Sequence, residues 1–148
     1  MVKSTIPKNI VFYADDDTDD LELVKDAFDK FTNNVEVVTA KDGVQALAYL
    51  QSLNDFTLTP CLIILDVNMP ILSGRDVLRK IKEIPSISSV PVVLFSTSSS
   101  ALDKEFAKKY NAGFVTKPLD ISQMKMITEL FIDHCSDEIK RNIRRHLQ

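Results

Sequence analysis

Short apolar runs alternate with amphipathic segments along most of this chain. The runs are rich in Val, Ile, Leu and Phe, and the five of them begin near Ile10, Val35, Cys61, Val92 and Phe114. In the segments between them, apolar residues recur at spacings of three and four, which is typical of a helix with one buried face. Short buried strands separated by helices predict a parallel sheet covered on both faces.

This alternation indicates a doubly wound, flavodoxin-like α/β fold, which is a three-layer sandwich. Crossovers between parallel strands are nearly always right-handed, and this places helices on both sides of the sheet. We predict a five-stranded parallel sheet in the order 2-1-3-4-5 with five helices, so that strands one and three are neighbours where the strand order reverses. The third helix is expected to run from about Gly74 to Ile84, and the last helix to begin near Asp120.

The chain ends in a segment of different character, which is polar and basic. We predict a domain over residues 1–134 and a basic C-terminal extension over 135–148 that is helical or partly disordered. A solvated helix end is the favoured interpretation of this extension. The alternatives are that it covers the face formed by the fourth helix, fifth strand and fifth helix, or pairs with another protomer.

Four of the predicted strands end at polar residues that are suited to handling a phosphoryl group. The first strand stops at Asp15 and Asp16, the third at Asp66, the fourth at Ser96 and the fifth at Lys117. Each of these residues alone has an ordinary explanation as a helix cap or a turn residue. Ligands of such sheets bind beyond the carboxyl ends of the strands, so we expect these side chains to meet at one site.

The chemistry of the expected site follows from its charges. Three carboxylates close together repel one another unless a cation neutralises them, and ligation by oxygen alone suits Mg²⁺. Asp16 and Asp66 are the favoured ligands, with a backbone carbonyl from Asn68. Asp66 stands alone after an apolar strand and is the predicted nucleophile that would form an aspartyl phosphate. Lys117 would pair with the new phosphate, and Ser96 would donate a hydrogen bond to it.

The polar residues that follow the acidic pair are interpreted as structural. Asp17 to Asp20 lie where the first helix is predicted to begin, and they can cap its free amide groups and complement its dipole. Thr18, Asp19 and Asp20 are expected to do only this.

Composition excludes several classes of protein. The 148 residues are 45% hydrophobic and 26% charged, as in an ordinary soluble domain. The net charge of −3 argues against a nucleic-acid partner, and no apolar run is long enough to cross a membrane. No secretory signal is visible after Lys3, and the two cysteines, Cys61 and Cys135, are expected to be free thiols in a reducing compartment. We therefore predict a cytoplasmic location.

Taken together, these residues resemble the receiver domain of two-component response regulators. The resemblance covers about residues 8 to 133 and rests on five motifs: Tyr13 to Asp17, Ala40 to Leu47, Leu65 to Pro70 with Gly74, Phe95 to Thr97, and Phe114 to Pro118. It implies that Asp66 receives a phosphoryl group from a phosphohistidine on a sensor histidine kinase or a histidine phosphotransfer protein. It also implies that Asp16 holds Mg²⁺ directly, Asp15 through water and Asn68 through its main-chain carbonyl, while Lys117 contacts the phosphate.

The resemblance further implies a conformational switch. Ser96 would follow the phosphate inward, and the ring of Phe114 would move into the space that opens. This would reshape the face of the fourth helix, fifth strand and fifth helix, where an output protein, still unknown, or a second copy in a homodimer would dock. With no further domain expected after the receiver, the chain is similar to stand-alone, chemotaxis-type receivers. The acidic run and the loop from Ser52 to Pro60 resemble those of small stand-alone receivers, some of which are paired with phytochrome-type kinases.

Three rival functions are weighed against this one. A receiver-like binding module that works without phosphorylation would be expected to lose Asp66 or Lys117, and the chain keeps both. An Mg²⁺-dependent phosphohydrolase with an aspartate nucleophile needs an acid two residues later, where Asn68 cannot transfer a proton. A flavin-binding domain of this topology would want a loop rich in Ser, Thr or Gly after strand one, and the acidic loop would repel a phosphate. The favoured function is a phosphoacceptor that catalyses only its own phosphoryl transfer and dephosphorylation.

Overall fold

A single parallel sheet forms the centre of the protein, seen in a computed structural model that describes residues 9–54, 57, 59–145 and 147. Its order is β2-β1-β3-β4-β5, as predicted. The strands are β1 (Asn9–Ala14), β2 (Val35–Ala40), β3 (Leu62–Asp66), β4 (Val92–Ser96) and β5 (Gly113–Thr116). Residues 1–4, where no secretory signal is expected, lie outside the described part. Three residues of the predicted loop from Ser52 to Pro60 also lie outside it.

Within the described part of the chain, six helices surround the sheet, one more than predicted. They are α1 (Thr18–Phe31), α2 (Gly43–Ser52), α3 (Gly74–Ile81), α4 (Ala101–Lys109), α5 (Met124–Asp133) and α6 (Asp137–Arg144), with a 3₁₀ turn at Ile121–Gln123 before α5. None of the described helices is both long and apolar enough to span a membrane.

Two of the predicted helix boundaries are corrected. The helix α3 ends at Ile81, because the amides of Glu83 and Ile84 bond to carbonyls three residues back and the chain tightens before Pro85. The segment after Asp120 starts as a 3₁₀ turn that is capped by the Asp120 carboxylate, and α5 follows from Met124.

Residues on alternate positions of the strands bury into two separate cores. On β1, Val11 and Tyr13 face the core beneath α1 and α5, whereas Phe12 and Ala14 face the core beneath α2, α3 and α4. All five residues of β3 are buried. Because the central strands are covered on both faces, their polar residues are found at the strand ends.

The C-terminal extension packs against the domain, so the interpretation as a solvated helix end is wrong. Ile143 of α6 is fully buried in the core beneath α1 and α5. The side chain of Asn142 accepts a hydrogen bond from Asn9 Nδ2 at 2.9 Å and another from Asn34. These contacts lie at the amino ends of β1 and β2, opposite the strand ends that carry the acidic residues. The division of the chain at residue 134 stays a prediction.

Candidate functional site

The register of the sheet brings the polar strand ends to one edge. Ala14 pairs with Leu65, Asp66 with Phe95, and Ser96 with Thr116. The residues that follow or end these strands therefore emerge side by side. The amide of Lys117 donates to the Ser96 carbonyl at 2.7 Å, which extends the pairing of β4 and β5 to the lysine.

Asp15, Asp16 and Asp66 form an acidic cluster at this edge. Each offers a carboxylate oxygen, and these oxygens all lie within 4.8 Å of one another. Asp15 is fully buried and Asp66 is 5% exposed, whereas Asp16 is open to solvent. Asp17 stands apart from the cluster because its carboxylate caps α1, accepting from the amides of Asp19 at 2.9 Å and Asp20 at 3.3 Å.

Lys117 is held by carboxylates on three sides. Its Nζ lies 2.7 Å from Asp15 Oδ2, 2.9 Å from Asp20 Oδ2 and 3.4 Å from Asp66 Oδ1. The ammonium also lies 5.5 Å from the centre of the Phe95 ring. The lysine predicted to meet the acidic residues therefore does so.

Sequence reasoning missed two residues of this network. The sequence predicts only a helix-capping role for Asp20, but its carboxylate bonds to Lys117. Its spacing of four from the buried Val24 was the available signal, because it puts Asp20 on the inward side of α1. The sequence predicts Tyr13 only as a strand residue, but its hydroxyl donates a hydrogen bond to Asp15 Oδ2. The available signal was the spacing of two residues between Tyr13 and Asp15, which places both side chains on the same face of the strand.

The electrostatics of the site reflect burial and crowding of negative charge. Burial, followed by the negative charge of Asp15, raises the pKa of Asp66 to about 7. Lys117 and the backbone amide of Asn68 act in the opposite direction and lower this pKa. Burial lowers the pKa of Lys117, but its bonds to Asp15 and Asp20 outweigh this and the pKa is raised. One lysine thus faces more carboxylates than it can neutralise.

These residues fit a divalent cation. The cluster supplies only carboxylate oxygens, the donors preferred by hard ions such as Mg²⁺ and Mn²⁺. Two of the three carboxylates are buried, and a cation would relieve the repulsion that raises the pKa of Asp66. The backbone amide of Asn68 hydrogen-bonds to the Asp66 carboxylate, and metal ligation through the Asn68 carbonyl stays a prediction.

The loop after Asp66 closes tightly over the strand end. The amide of Gly74 donates to the Val67 carbonyl at 3.0 Å, and a Cβ at Gly74 would lie 2.2 Å from the Asp66 carbonyl oxygen. Only glycine permits this approach.

The two predicted switch residues lie on β4 and β5. Ser96 is fully buried, and its Oγ accepts a hydrogen bond from the Ser98 amide at 3.1 Å. Phe114 is half-buried against the core beneath α2, α3 and α4, with Lys104 Nζ 6.0 Å from its ring centre. Their movement on phosphorylation stays a prediction.

Comparison with known proteins identifies the family. Residues 11–129 match the family model of the response regulator receiver domain. Response regulator Rcp1 of Synechocystis sp. is 33% identical over 99 residues, covering 66% of this chain and 67% of Rcp1. The chain belongs to the response regulator receiver family, whose members act in two-component signalling.

Solved structures of receivers have the same architecture. The phosphorylated cyanobacterial phytochrome response regulator RcpA superposes with a TM-score of 0.77 at 32% identity, covering 87% of this chain and 97% of RcpA. The Mn²⁺-bound form of Rcp1 superposes with a TM-score of 0.74 at 28% identity, covering 82% and 91%. This chain is therefore similar to one receiver solved with phosphate attached and to another solved with a divalent metal.

Proposed function

We propose that this protein is a phosphoacceptor of two-component signalling, with Asp66 as the residue that is phosphorylated. The donor is a phosphohistidine on a sensor histidine kinase or a histidine phosphotransfer protein. The observation that carries the proposal is the position of the Lys117 ammonium, 3.4 Å from Asp66 Oδ1 in an acidic cluster of which two members are buried. A binding module that works without phosphorylation has no need of this arrangement.

The transfer is a substitution at phosphorus. A carboxylate oxygen of Asp66 forms a bond to phosphorus, the bond from phosphorus to the donor imidazole breaks, and its electron pair leaves with the ring nitrogen. Asp66 must be ionised to attack, and its pKa of about 7 leaves a large ionised fraction at neutral pH. Lys117, whose side chain is itself largely buried, then stabilises the charge on the phosphoryl oxygens.

Mg²⁺ completes the site in this proposal. Asp15, Asp16 and Asp66 would hold the ion together with the main-chain carbonyl of Asn68, and the ion would supply charge neutralisation for the phosphoryl group. Tyr13 and the Asp17 amide orient the buried Asp15, since they bond to its two different oxygens.

The phosphorylated state is read through the face of α4, β5 and α5. The Ser96 hydroxyl donates a hydrogen bond to a phosphoryl oxygen, and Phe114 moves inward from its half-buried position. Phosphate biases this equilibrium only by its different interaction energy with the two states. The partner on this face is an output protein of unknown identity or a second copy of the chain. In this proposal the protein is cytoplasmic and its receiver spans residues 1–134.

Intact mass tests the proposal. Wild type and Asp66→Asn are incubated with acetyl phosphate, with and without Mg²⁺. We expect the mass of one phosphoryl group to be added only to wild type and only with Mg²⁺. Equal labelling of Asp66→Asn, or no labelling by either acetyl phosphate or a phosphohistidine protein, would contradict the proposal.

A further inference from the structure

Asp20 is a partner of Lys117 that lies outside the acidic cluster. Its Oδ2 is 2.9 Å from Lys117 Nζ, closer than the 3.4 Å that separates Asp66 Oδ1 from the same nitrogen. The lysine side chain is 9% exposed and that of Asp20 is 29% exposed, so the pair is shielded on one side. The resting ammonium is therefore drawn more closely to Asp20 than to Asp66.

The position of Asp20 follows from how α1 begins. Asp17 caps the helix and accepts from the Asp20 amide at 3.3 Å, which fixes Asp20 in the first turn. Val24, one turn later on the same side, is buried. The carboxylate of Asp20 is thereby presented to the end of β5, where Lys117 stands.

A divalent cation affects the three partners of Lys117 differently. Asp15 and Asp66 belong to the cluster that can hold the ion, so the ion and the lysine compete for their oxygens. Asp20 is not a member of that cluster. With the ion bound, Asp20 is the carboxylate among these three contacts that stays available to Lys117 alone.

We propose that Asp20 is a positioning residue that restrains Lys117 and slows phosphoryl transfer to Asp66. This rests on the proposed function of Asp66. When acetyl phosphate is the donor, an Asp66 oxygen bonds to phosphorus, the bond from phosphorus to the acetate oxygen breaks, and acetate leaves with the electron pair. No proton is transferred. The Lys117 ammonium has to turn from Asp20 toward the phosphoryl oxygens, and the charge of Asp20 opposes the incoming anion.

The test compares two variants from the same helical turn. Asp20→Asn removes the charge and keeps the shape, whereas Asp19→Asn removes the same charge from an exposed side chain. The rate of labelling by acetyl phosphate at saturating Mg²⁺ is followed by intact mass, with thermal melting as the check on folding. We expect Asp20→Asn to be labelled about threefold faster than wild type, and Asp19→Asn to match wild type.

Restoring the carboxylate provides the second readout. Asp20→Glu can again hold the ammonium, so its labelling rate is expected to return toward that of wild type. Labelling of Asp20→Asn no faster than Asp19→Asn, or labelling of Asp20→Glu as fast as Asp20→Asn, overturns the restraint. A wild type that accepts no phosphate overturns the proposed function instead, so the two failures are distinct.

Discussion

The hydroxyl of the buried Tyr13 donates a hydrogen bond to the carboxylate of Asp15, two residues further along the chain. Lys117 Nζ reaches the same oxygen, Oδ2, at 2.7 Å. The other oxygen of Asp15 accepts from the Asp17 amide at 3.0 Å. The orientation of this buried carboxylate is thus set from the core of the protein, before any ion or phosphate arrives.

Removal of the Tyr13 hydroxyl is expected to weaken metal binding. Tyr13→Phe leaves the ring in place and deletes the donor to Asp15, and loss of such an outer partner typically costs about tenfold in metal affinity. Calorimetric titration with Mn²⁺ measures the effect. Tyr49→Phe is the matched control, because Tyr49 stacks on Phe12 in the other core and should bind Mn²⁺ as wild type does. Equal affinities for both variants would show that Tyr13 does not orient the site.

The raised pKa of Asp66 predicts a stability that depends on pH. Between its ordinary value of 3.8 and the folded-state value of about 7, the unfolded chain has already lost the proton that the folded protein keeps. Stability due to this group therefore falls as pH rises through that window and is constant above it. Asp66→Asn has no ionisable side chain at this position, so this contribution does not lower its stability as pH rises.

Melting temperatures of wild type and Asp66→Asn without divalent ions test this dependence. We expect the variant to be more stable at pH 8 by about 5 °C, with a difference that shrinks toward pH 4. Since other titrating groups are shared, they cancel in the comparison. A difference that does not change with pH would mean that Asp66 titrates normally.

Ile71 is strained in the loop that follows Asp66. Its φ of 68° lies in the left-handed region, which disfavours β-branched side chains, and the side chain is 89% exposed. Ile71→Asn should raise the free energy of unfolding by about 1 kcal/mol, because asparagine tolerates this conformation. Urea denaturation provides the measurement. Leu119 is also highly exposed but has no positive φ, so Leu119→Asn should give no such gain. A similar gain in both variants would mean that removing an exposed apolar side chain, and not relief of the backbone, stabilises the protein.

Burial of Ile143 anchors α6 on the core beneath α1 and α5. Ile143→Ala should lower the free energy of unfolding by about 3 kcal/mol, the usual cost of emptying a buried isoleucine site. Ile121→Ala removes the same atoms from a side chain that is 71% exposed and should cost far less. Comparable losses in the two variants, measured by urea denaturation, would mean that α6 is detached in solution.

The sheet and most of the candidate site could be predicted because both follow from the pattern of apolar runs and from the geometry of parallel sheets. Continuous apolar runs such as that of β3 indicate buried parallel strands, and parallel strands bring Asp15, Asp66 and Lys117 to one edge. The packing of α6 could not be predicted in this way. Its apolar stripe consists of Ile139 and Ile143 within a basic segment. So many charges with so few apolar residues are typical of a solvated helix end.

Side-chain contacts were the harder part of the site. An aspartate in the first turn of a helix satisfies a simple capping rule, so nothing local indicated that Asp20 reaches Lys117, which is 97 positions away in sequence. Likewise a tyrosine in an apolar run is adequately explained as core, although a buried hydroxyl needs an acceptor, and Asp15 is that acceptor.

The most direct test of the account is the location of the phosphoryl group within the chain. Wild type is labelled with acetyl phosphate and Mg²⁺, the acyl phosphate is reduced with borohydride, and peptides are sequenced by mass spectrometry. Reduction converts a phosphorylated aspartate to homoserine. We predict homoserine at position 66 alone. Homoserine at position 15 or 16, or at any other aspartate with residue 66 unchanged, would contradict the assignment of Asp66 as the phosphoacceptor.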